Sequence, residues 1–316
     1  IDLARKAIED CLASSRYQPA DIDILICCNC SRCDGPDYQV SFEPSTSIKL
    51  KKYFGFDNAL VFDITNACAG MFTGVNIVDA LIKAGLIRCG MVASGEYITH
   101  LTHTAQKEIE NYMDPRLACL TLGDAGAAII LDASPTNQVG FHEIDMYTLG
   151  CYSPYCIAGP SEEEHGGAIM FTEMGKLTAA GIKQSVAHVF HVLEQLQQPV
   201  DAFQHIIPHQ TSRISLDEVA RETNRVHNRE VCSDRNIINN LTERGNTAST
   251  SHFVALKDNI VNNRIASGEN VIFSITASGL NVGTALYTLD DLPDRLRRTW
   301  LDGQEPQKLP SARKKE

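Results

Sequence analysis

The chain has 316 residues, of which 43% are hydrophobic and 21% charged, a composition typical of a globular protein with a large core. Its formal net charge of −11 argues against nucleic acid as a partner, and it contains no apolar run of the ~18–20 residues that a membrane span requires. Eleven cysteines without the spacing of a disulfide framework indicate free thiols and predict a cytoplasmic protein.

Helical and strand-like patterns alternate along the chain, which predicts a largely parallel α/β core. The first series is helix 1–13, strand 22–28, helix 45–54, strand 59–64, helix 68–84, strand 89–94 and strands near 117–122, 126–131 and 139–147. The second series is helix 172–196, strand 203–207, helices 210–222 and 247–263, and strands 271–276 and 282–289. From residue 291 onward the polar sequence predicts a helical turn or two and then an unstructured end.

Cys68 lies where a strand-like run, Leu60–Ile64, gives way to a long apolar helix. A thiol at a helix N-terminus is favoured as the thiolate, because the helix dipole and free backbone N–H groups stabilise negative charge there. The small neighbours Ala67, Ala69 and Gly70 leave room for a substrate. The alternative is a buried cysteine that packs as a small hydrophobic residue.

Two further segments favour a catalytic cysteine. His209 follows the apolar run Ile206–Pro208, and Asn246 follows Gly245 ahead of another helix. Alone, either residue would more often be structural. Together the three supply a nucleophile and two hydrogen-bond donors, in the loops at the C-terminal ends of strands where α/β sheets place their chemistry.

At this point the chain resembles the thiolase-fold condensing enzymes of the β-ketoacyl-ACP synthase III type. Five motifs carry the resemblance, in the family's order: Asn66-Ala67-Cys68-Ala69-Gly70, Gly123-Asp124-Ala125-Gly126-Ala127-Ala128, Pro208-His209-Gln210, Gly245-Asn246-Thr247-Ala248-Ser249, and Ala277-Ser278-Gly279-Leu280 with Gly283. The family pattern begins ahead of Ile1, with a first strand and part of the thioester-carrier surface, so the resemblance assigns no contacts to the carrier arm.

The resemblance implies a thiolase fold, α/β in class, whose two similar halves pack as five layers, helices–sheet–helices–sheet–helices. We assign residues 1–147 to a first half that carries the nucleophile and 171–290 to a second half that carries His209 and Asn246. Residues 148–170, rich in Gly, Pro and Glu, form either a flap over the acyl site or a plain linker, and 291–316 form a polar tail.

The resemblance also implies roles for the site residues. Cys68 would attack an acyl thioester and hold the acyl group, while the backbone N–H groups of Cys68 and Gly279 would form the oxyanion hole. His209 and Asn246 would donate hydrogen bonds to the thioester oxygen of the second substrate. The expected protein is a homodimer whose substrates are carried on coenzyme A or an acyl carrier protein, with no other cofactor and no metal.

Glu43, in Ser41-Phe42-Glu43-Pro44-Ser45-Thr46, resembles the branch of the family that joins two acyl chains without decarboxylation. That branch includes head-to-head hydrocarbon-forming enzymes and α-pyrone synthases, and in it a Glu from the partner subunit serves as base or positions the second substrate. In that role Glu43 would be desolvated, with a raised pKa. Otherwise it is an exposed residue that favours the start of a helix.

Other patterns are weaker. Cys30-x-x-Cys33 is half of a zinc motif, but no second pair follows at ligand spacing, so we do not predict zinc. An acidic carrier would need a local basic patch, for which the lysines near residue 50 and the arginines from 213 to 229 are candidates, although each also fits a solvated helix face.

The sequence therefore predicts a ketosynthase that forms a C–C bond by Claisen condensation of two acyl thioesters, without decarboxylation. Three alternatives stay open. The first is a decarboxylative synthase III that uses a malonyl thioester. The second is an acyltransferase to oxygen or nitrogen, and the third is an inactive partner subunit of a heteromer. The presence of Cys68, His209 and Asn246 disfavours the last two.

Overall fold

The structure is a computed structural model that describes residues 1–31, 33–34, 39–40, 43–134 and 136–301. The helices are α1 (Asp2–Ala13), α2 (Thr46–Phe54), α3 (Gly70–Lys83), α4 (Thr99–Glu108), α5 (Met174–Gln195), α6 (Arg213–His227), α7 (Leu241–Arg244), α8 (Ser251–Val261) and α9 (Leu292–Leu301). The strands are β1 (Ile24–Cys27), β2 (Cys33–Asp34), β3 (Gln39–Val40), β4 (Leu60–Asp63), β5 (Cys89–Glu96), β6 (Ala125–Asp132), β7 (Gly140–Thr148), β8 (Cys156–Pro160), β9 (Ala168–Thr172), β10 (His205–Pro208), β11 (Asn270–Ala277) and β12 (Asn281–Thr288).

The first sheet has the strand order β4-β1-β5-β6. Strand β1 pairs in parallel with both β4 and β5, and β6 is antiparallel to β5. The apolar run of β1 is buried along its whole length, as expected for a parallel strand covered on both faces. The carboxyl ends of β1, β4 and β5 therefore meet at one edge of this sheet, and Cys68 follows β4 at that edge.

The second sheet has the order β10-β11-β12-β7, with β10 parallel to β11 and the other pairs antiparallel. Strand β7 belongs to this sheet, because Thr148 to Gly140 pair along β12 from Asn281 to Thr288. The boundary predicted after residue 147 is therefore wrong: the second half takes in β7, whose partner lies more than a hundred residues further along the chain.

Five layers follow from three groups of buried side chains. Between the sheets, α3 and α8 share one core through Phe72, Val75, Leu256 and Ile260. On the outer side of the first sheet, α1 and α2 pack on β1 and β5, and on the outer side of the second sheet α5 and α6 pack on β10 and β11. Each such side chain contributes ~1.5–3 kcal/mol when fully buried. The predicted five-layer thiolase fold is confirmed.

Several local predictions change. Residues 117–122, predicted as a strand, form a 3₁₀ turn (Pro115–Thr121), and α4 and α9 are full helices that the sequence did not predict at that length. The predicted flap contains an antiparallel hairpin of β8 and β9. None of the helices among the described residues has the length and apolarity needed to cross a bilayer.

Candidate active site

Cys68 lies in a 3₁₀ turn, Ala67–Ala69, immediately before α3 begins at Gly70. The turn starts with a left-handed residue, Ala67 at φ +46°, and is closed by the hydrogen bond from Ala69 N–H to Asn66 O, 3.0 Å. A Cβ at Gly70 would lie 2.8 Å from the carbonyl oxygen of Cys28, so only glycine lets the turn approach β1 this closely.

The thiol of Cys68 is not set up as a resting thiolate. Its pKa is raised to about 12, first by burial and then by the charge of Glu96 and the neighbouring Cys156. The prediction that the helix N-terminus favours the thiolate is therefore wrong for the free protein, because desolvation outweighs the dipole. The resting nucleophile is the neutral thiol, which must lose its proton during acylation.

His209 follows β10 and is held by a hydrogen bond from its backbone N–H to Ser274 O, 3.1 Å. The side chain is only 6% exposed, and its Nδ1 is buried without a hydrogen-bond partner among the described residues. Burial, with a smaller contribution from His252, lowers the pKa of His209 to about 3. The imidazole is therefore neutral near pH 7, and Nε2 is the ring nitrogen available to donate to a substrate oxygen.

Asn246 is fixed through both its backbone and its amide. The backbone N–H donates to Thr121 O, 2.8 Å, and the carbonyl accepts from Gly123 N–H, 2.9 Å. The side-chain Oδ1 accepts from Ala248 N–H, 3.0 Å. Because Oδ1 is occupied in this way, the two Nδ2 N–H groups are the part of the amide that is left to donate to a ligand.

Glycines in two of the sequence motifs let the segment of Asn246 lie close to the segment that precedes β6. A Cβ on Gly123 would lie 1.9 Å from Arg244 O, and one on Gly245, which is at φ +66°, would lie 2.8 Å from Thr121 O. Two backbone segments from different halves thus pass within contact of each other only because both carry glycine. This contact sets the position of Asn246 relative to β6.

Gly279 lies in the tight turn between β11 and β12 and has φ +129°, a conformation open to glycine alone. The turn is tied to Leu149 by two reciprocal backbone hydrogen bonds with Leu280, 2.8 and 3.0 Å. Among the described residues, neither Gly279 N–H nor Cys68 N–H donates to a carbonyl of another residue. The Cys68 N–H interacts with its own sulfur, so the oxyanion hole formed by these two N–H groups stays a prediction.

The elements that carry these residues adjoin one another. A Cβ at Gly70 would lie 3.6 Å from Cβ of Ser249, which places the Cys68 turn against the turn that follows Asn246. The ring of His252 in α8 contacts both His209, with ring centroids 5.6 Å apart, and Phe72 in α3, 5.2 Å. The structure thus brings the three predicted segments to one seam between α3 and α8, while the catalytic roles stay predictions.

Two family models of 3-oxoacyl-[acyl-carrier-protein] synthase III match the chain: one over residues 62–150, and the C-terminal model over 193–289. Together they cover more than half of the chain. The chain belongs to the synthase III family of condensing enzymes. The matched segments contain Cys68, His209, Asn246 and Gly279, whereas Glu43 lies outside both.

Among curated relatives of this synthase III family member, β-ketoacyl-[acyl-carrier-protein] synthase III of Rickettsia bellii is 26% identical over 291 residues, covering 90% of this chain and 82% of that protein. Among solved structures, Xanthomonas campestris OleA with bound lauric acid and lauroyl-CoA is 20% identical with a TM-score of 0.76, covering 91% and 82% of the two chains. The synthase III of Aquifex aeolicus is 20% identical with a TM-score of 0.73, covering 90% and 83%.

Glu96 contributes a buried carboxyl whose charge acts on the Cys68 thiol. Its side chain is fully buried at the end of β5 and accepts hydrogen bonds from Ser249 Oγ, from Ser94 Oγ, 3.1 Å, and from Cys30 N–H, 2.9 Å. Because these donors are neutral, burial dominates and raises the pKa of the carboxyl. The sequence does not predict this buried carboxyl, because most of the hydrogen-bond donors to Glu96 are distant in the chain.

Glu43 is exposed in the single chain and lies just ahead of α2, whose first turn is capped by Ser45. Asp63, at the end of β4, accepts from the backbone N–H groups of Thr46 and Ser47, 3.0 and 2.9 Å. These bonds tie the start of α2, three residues after Glu43, to the end of β4, the edge strand of the first sheet. The desolvation predicted for a catalytic Glu43 is not provided by the chain alone.

Two further polar residues have structural contacts. His100 is buried in α4 with Nδ1 2.9 Å from Tyr97 O. Asp124 accepts from Ile98 N–H and Thr99 N–H at the start of α4. Within the described part of the chain no group of three or more His, Cys, Asp or Glu side chains could hold a metal ion; the Cys33 side chain lies outside that part.

The arginines proposed as a basic patch are paired. Each bonds a carboxylate on or next to its own helix: Arg213 with Asp217, Arg221 with Glu218, Arg225 with Glu222, and Arg229 with Asp201. Surface pairs of this kind add little to stability, because water and salt screen them. Their main consequence is that this surface offers an acidic carrier little net positive charge.

Proposed function

We propose that this chain condenses two acyl thioesters through an acyl group held on Cys68, and that it does so without decarboxylation. The observation that carries the condensation is a neutral Cys68 thiol in a segment that adjoins those of His209 and Asn246, two side chains with N–H groups and no charge near pH 7. The absence of decarboxylation rests on Glu43, whose sequence context resembles that of the non-decarboxylating branch. His209, with a pKa of about 3, is too weak a base to remove a proton from carbon, and Asn246 presents its amide N–H groups.

The first half-reaction forms the acyl-enzyme. Cys68 sulfur attacks the thioester carbonyl, the S–H proton passes to the departing thiol, and the developing oxyanion is met by the N–H groups of Cys68 and Gly279. An oxyanion hole lowers the barrier when its donors are oriented before the reaction begins. No net proton or electron is gained or lost.

The second half-reaction requires a carbanion beside a thioester carbonyl. His209 Nε2–H and Asn246 Nδ2–H stabilise the enolate oxygen, and the carbanion attacks the carbonyl carbon of the acyl group on Cys68. The new C–C bond forms as the C–S bond to Cys68 breaks, and the thiolate regains a proton. Because neither donor is a base, the α-proton needs another acceptor, for which Glu43 is the candidate.

Glu43 would reach this position in a homodimer. It is exposed and lies beside β4, an edge strand on which Leu60 is 64% exposed. Exposed strand edges and apolar side chains favour pairing with another chain. A second copy bound at this edge would cover Glu43 and remove water from it, as the role of a base requires.

The decarboxylative reaction of a malonyl thioester is the second candidate, since it also needs Cys68, His209 and Asn246 but no base. The curated relatives carry the name of synthase III enzymes, which favours it, whereas the likeness to OleA with bound lauroyl-CoA favours the joining of two long acyl chains. The carrier for either reaction is coenzyme A or an acyl carrier protein; both are acidic, so the paired arginines on and beside α6 favour neither.

The test is to incubate the protein with acyl-CoA alone and with malonyl-CoA, and to weigh enzyme and products. We expect a β-keto product from acyl-CoA alone, normal acylation in Glu43→Gln, and loss of condensation in that variant. Glu230→Gln, at another exposed glutamate, is the control. Product formation that requires malonyl-CoA, or normal condensation by Glu43→Gln, would contradict the non-decarboxylative assignment.

Mixing two inactive variants tests whether Glu43 acts in the partner's site. A mixed dimer of Glu43→Gln and Cys68→Ala has one site with an intact cysteine and an intact glutamate. Since half of the randomly paired dimers are mixed, we expect recovery of about a quarter of wild-type condensation after subunit exchange. No recovery would place Glu43 in the site of its own chain or outside catalysis.

A further inference from the structure

His252 is a buried histidine beside the site that no motif of the sequence singles out. It lies near the start of α8, and its side chain is fully buried. One face of its ring is stacked on the ring of His209, with centroids 5.6 Å apart and an angle of 25° between the planes. Its ring also meets Phe72 of α3 edge to face, with centroids 5.2 Å apart.

His252 and His209 both donate a hydrogen bond to the carbonyl oxygen of Ser274. His252 Nε2 lies 3.1 Å from Ser274 O, and because a carbonyl oxygen only accepts, Nε2 carries the proton. The same carbonyl accepts the backbone N–H of His209, 3.1 Å. Burial lowers the pKa of His252 to about 4, so near pH 7 the ring is neutral, with one fixed tautomer and a fixed orientation.

His209 lacks the usual means of orientation. A functional imidazole is commonly fixed by a hydrogen bond to its second ring nitrogen. Here Nδ1 of His209 is buried and has no partner among the described residues. The ring that is expected to donate from Nε2 is therefore held by packing, and the aromatic face packed on it belongs to His252.

We propose that His252 is a positioning residue that orients the His209 imidazole for condensation. The hydrogen bond to Ser274 O fixes His252, and the stack transmits that orientation to His209. This inference rests on the proposed role of His209 as a donor to the enolate. It predicts a selective effect, because acylation of Cys68 uses the backbone donors and does not need a fixed His209 ring.

The test compares His252→Ala and His252→Phe with wild type in the two half-reactions. Acylation of Cys68, followed by intact mass, should stay within about 2-fold. Condensation of the isolated acyl-enzyme should fall about 10- to 100-fold in His252→Ala, the range expected for a misplaced catalytic group. The effect should be on kcat more than on KM, with a smaller loss in His252→Phe, which keeps an aromatic face but loses the hydrogen bond.

Chemical rescue separates orientation from simple filling of space. Imidazole added to His252→Ala should restore condensation, because it can both stack on His209 and donate to Ser274 O. Toluene, which fills similar space without a donor, should restore thermal stability but little condensation. Equal rescue by both compounds would overturn the role of the hydrogen bond, and equal losses in acylation and condensation would overturn the positioning role.

A readout that does not depend on catalysis keeps the inference distinct from the proposed function. In ¹⁵N-histidine NMR spectra, wild-type His209 should show a single neutral tautomer protonated at Nε2, and His252→Ala should show a mixture. An unchanged His209 signal would refute the positioning role even in a protein that forms no C–C bond. His188→Phe, at a buried histidine of α5 bonded to Thr284 and Asp145, is the control and should leave His209 unchanged.

Discussion

The two halves of the molecule contain the same backbone turn, and the turn carries different side chains in each half. The turn Ala67–Ala69 precedes α3, and the turn Ala248–Thr250 precedes α8. Each starts with a left-handed alanine, at φ +46° and +49°. The second residue of the turn is Cys68 in the first half and Ser249 in the second half. The same turn thus carries the nucleophile on one side and, on the other, a hydroxyl bonded to Glu96.

The residues that follow β1 and β10 also correspond between the two halves. Cys28 follows β1 and donates its backbone N–H to Ala93 O, 2.9 Å, just as His209 follows β10 and donates to Ser274 O. Cys28 is fully buried and packs against Gly74, while His209 lines the seam between α3 and α8. The equivalent positions differ only in side chain, so the backbone supplies the frame and individual residues supply the chemistry.

The halves differ most where the last two strands of each sheet join. In the first half, β5 and β6 are separated by residues 97–124, which form α4 and a long 3₁₀ turn. In the second half, β11 and β12 are joined by residues 278–280 alone. The short connection presents the N–H of Gly279, and the long one holds the β8–β9 hairpin through Ser161 Oγ and Glu108, 2.6 Å. One connection thus carries the predicted oxyanion-hole residue Gly279, and the other contacts the loop of the β8–β9 hairpin.

The largest effect is expected from the two equivalent turn positions. Cys68→Ala removes the sulfur proposed to hold the acyl group and should lower acyl-enzyme formation by several orders of magnitude. Ser249→Ala, at the matching position, should still acylate, because it loses only the hydrogen bonds of the hydroxyl to Glu96 and Ser94. Intact mass after incubation with acyl-CoA measures both. Acylation that persists in Cys68→Ala would overturn the division of labour between the turns.

The donor role of the second half is tested by Asn246→Asp. The shape is kept, but an ionised carboxylate cannot donate to an enolate and would repel it. Condensation should fall about 10²–10³-fold with acylation retained. Asn239→Asp is the control, because Asn239 Oδ1 only accepts from Leu241 N–H, which a carboxylate also does. Similar losses in the two variants would show a structural rather than a chemical role for Asn246.

The contact between the halves is tested by Gly123→Ala. A Cβ at 1.9 Å from Arg244 O forces the two segments apart, and overpacking of this kind costs about 1–3 kcal/mol. Condensation should fall as well, since Asn246 moves with its segment. Gly175→Ala, at an exposed glycine in α5 with no atom within 4 Å of the new Cβ, should raise stability slightly. Denaturant unfolding and product assays distinguish the two.

The smallest effect is a pH dependence that arises in the second half. The pKa values of His209 and His252 are lowered to about 3 and about 4 from 6.5. As pH falls below 6.5 the unfolded chain takes up these protons and the folded chain does not, so the free energy of unfolding decreases until pH approaches the folded pKa values. His252→Phe should reduce the loss between pH 7 and pH 5 by about 1–2 kcal/mol. Urea unfolding of both proteins at pH 7 and pH 5 measures this loss. An equal loss in wild type and His252→Phe would contradict the lowered pKa of His252.

The sequence by itself determined the family, the layered fold and the identity of Cys68, His209 and Asn246 as candidates. Those inferences depend on local order: glycines where segments touch, apolar runs for buried strands and helices, and polar residues just after strands. The structure explains the glycines at 123 and 245 through contacts that the motifs imply but do not describe.

Only the tertiary structure decided the state of those groups. The first sheet ends at β6 and the second takes in β7 because strand pairing depends on partners far along the chain. Cys68 is a thiol with a raised pKa because burial and Glu96, 28 residues away, oppose the helix dipole. His209 is neutral and held against His252 for the same reason: desolvation and ring packing arise from neighbours in space, which a linear pattern does not record.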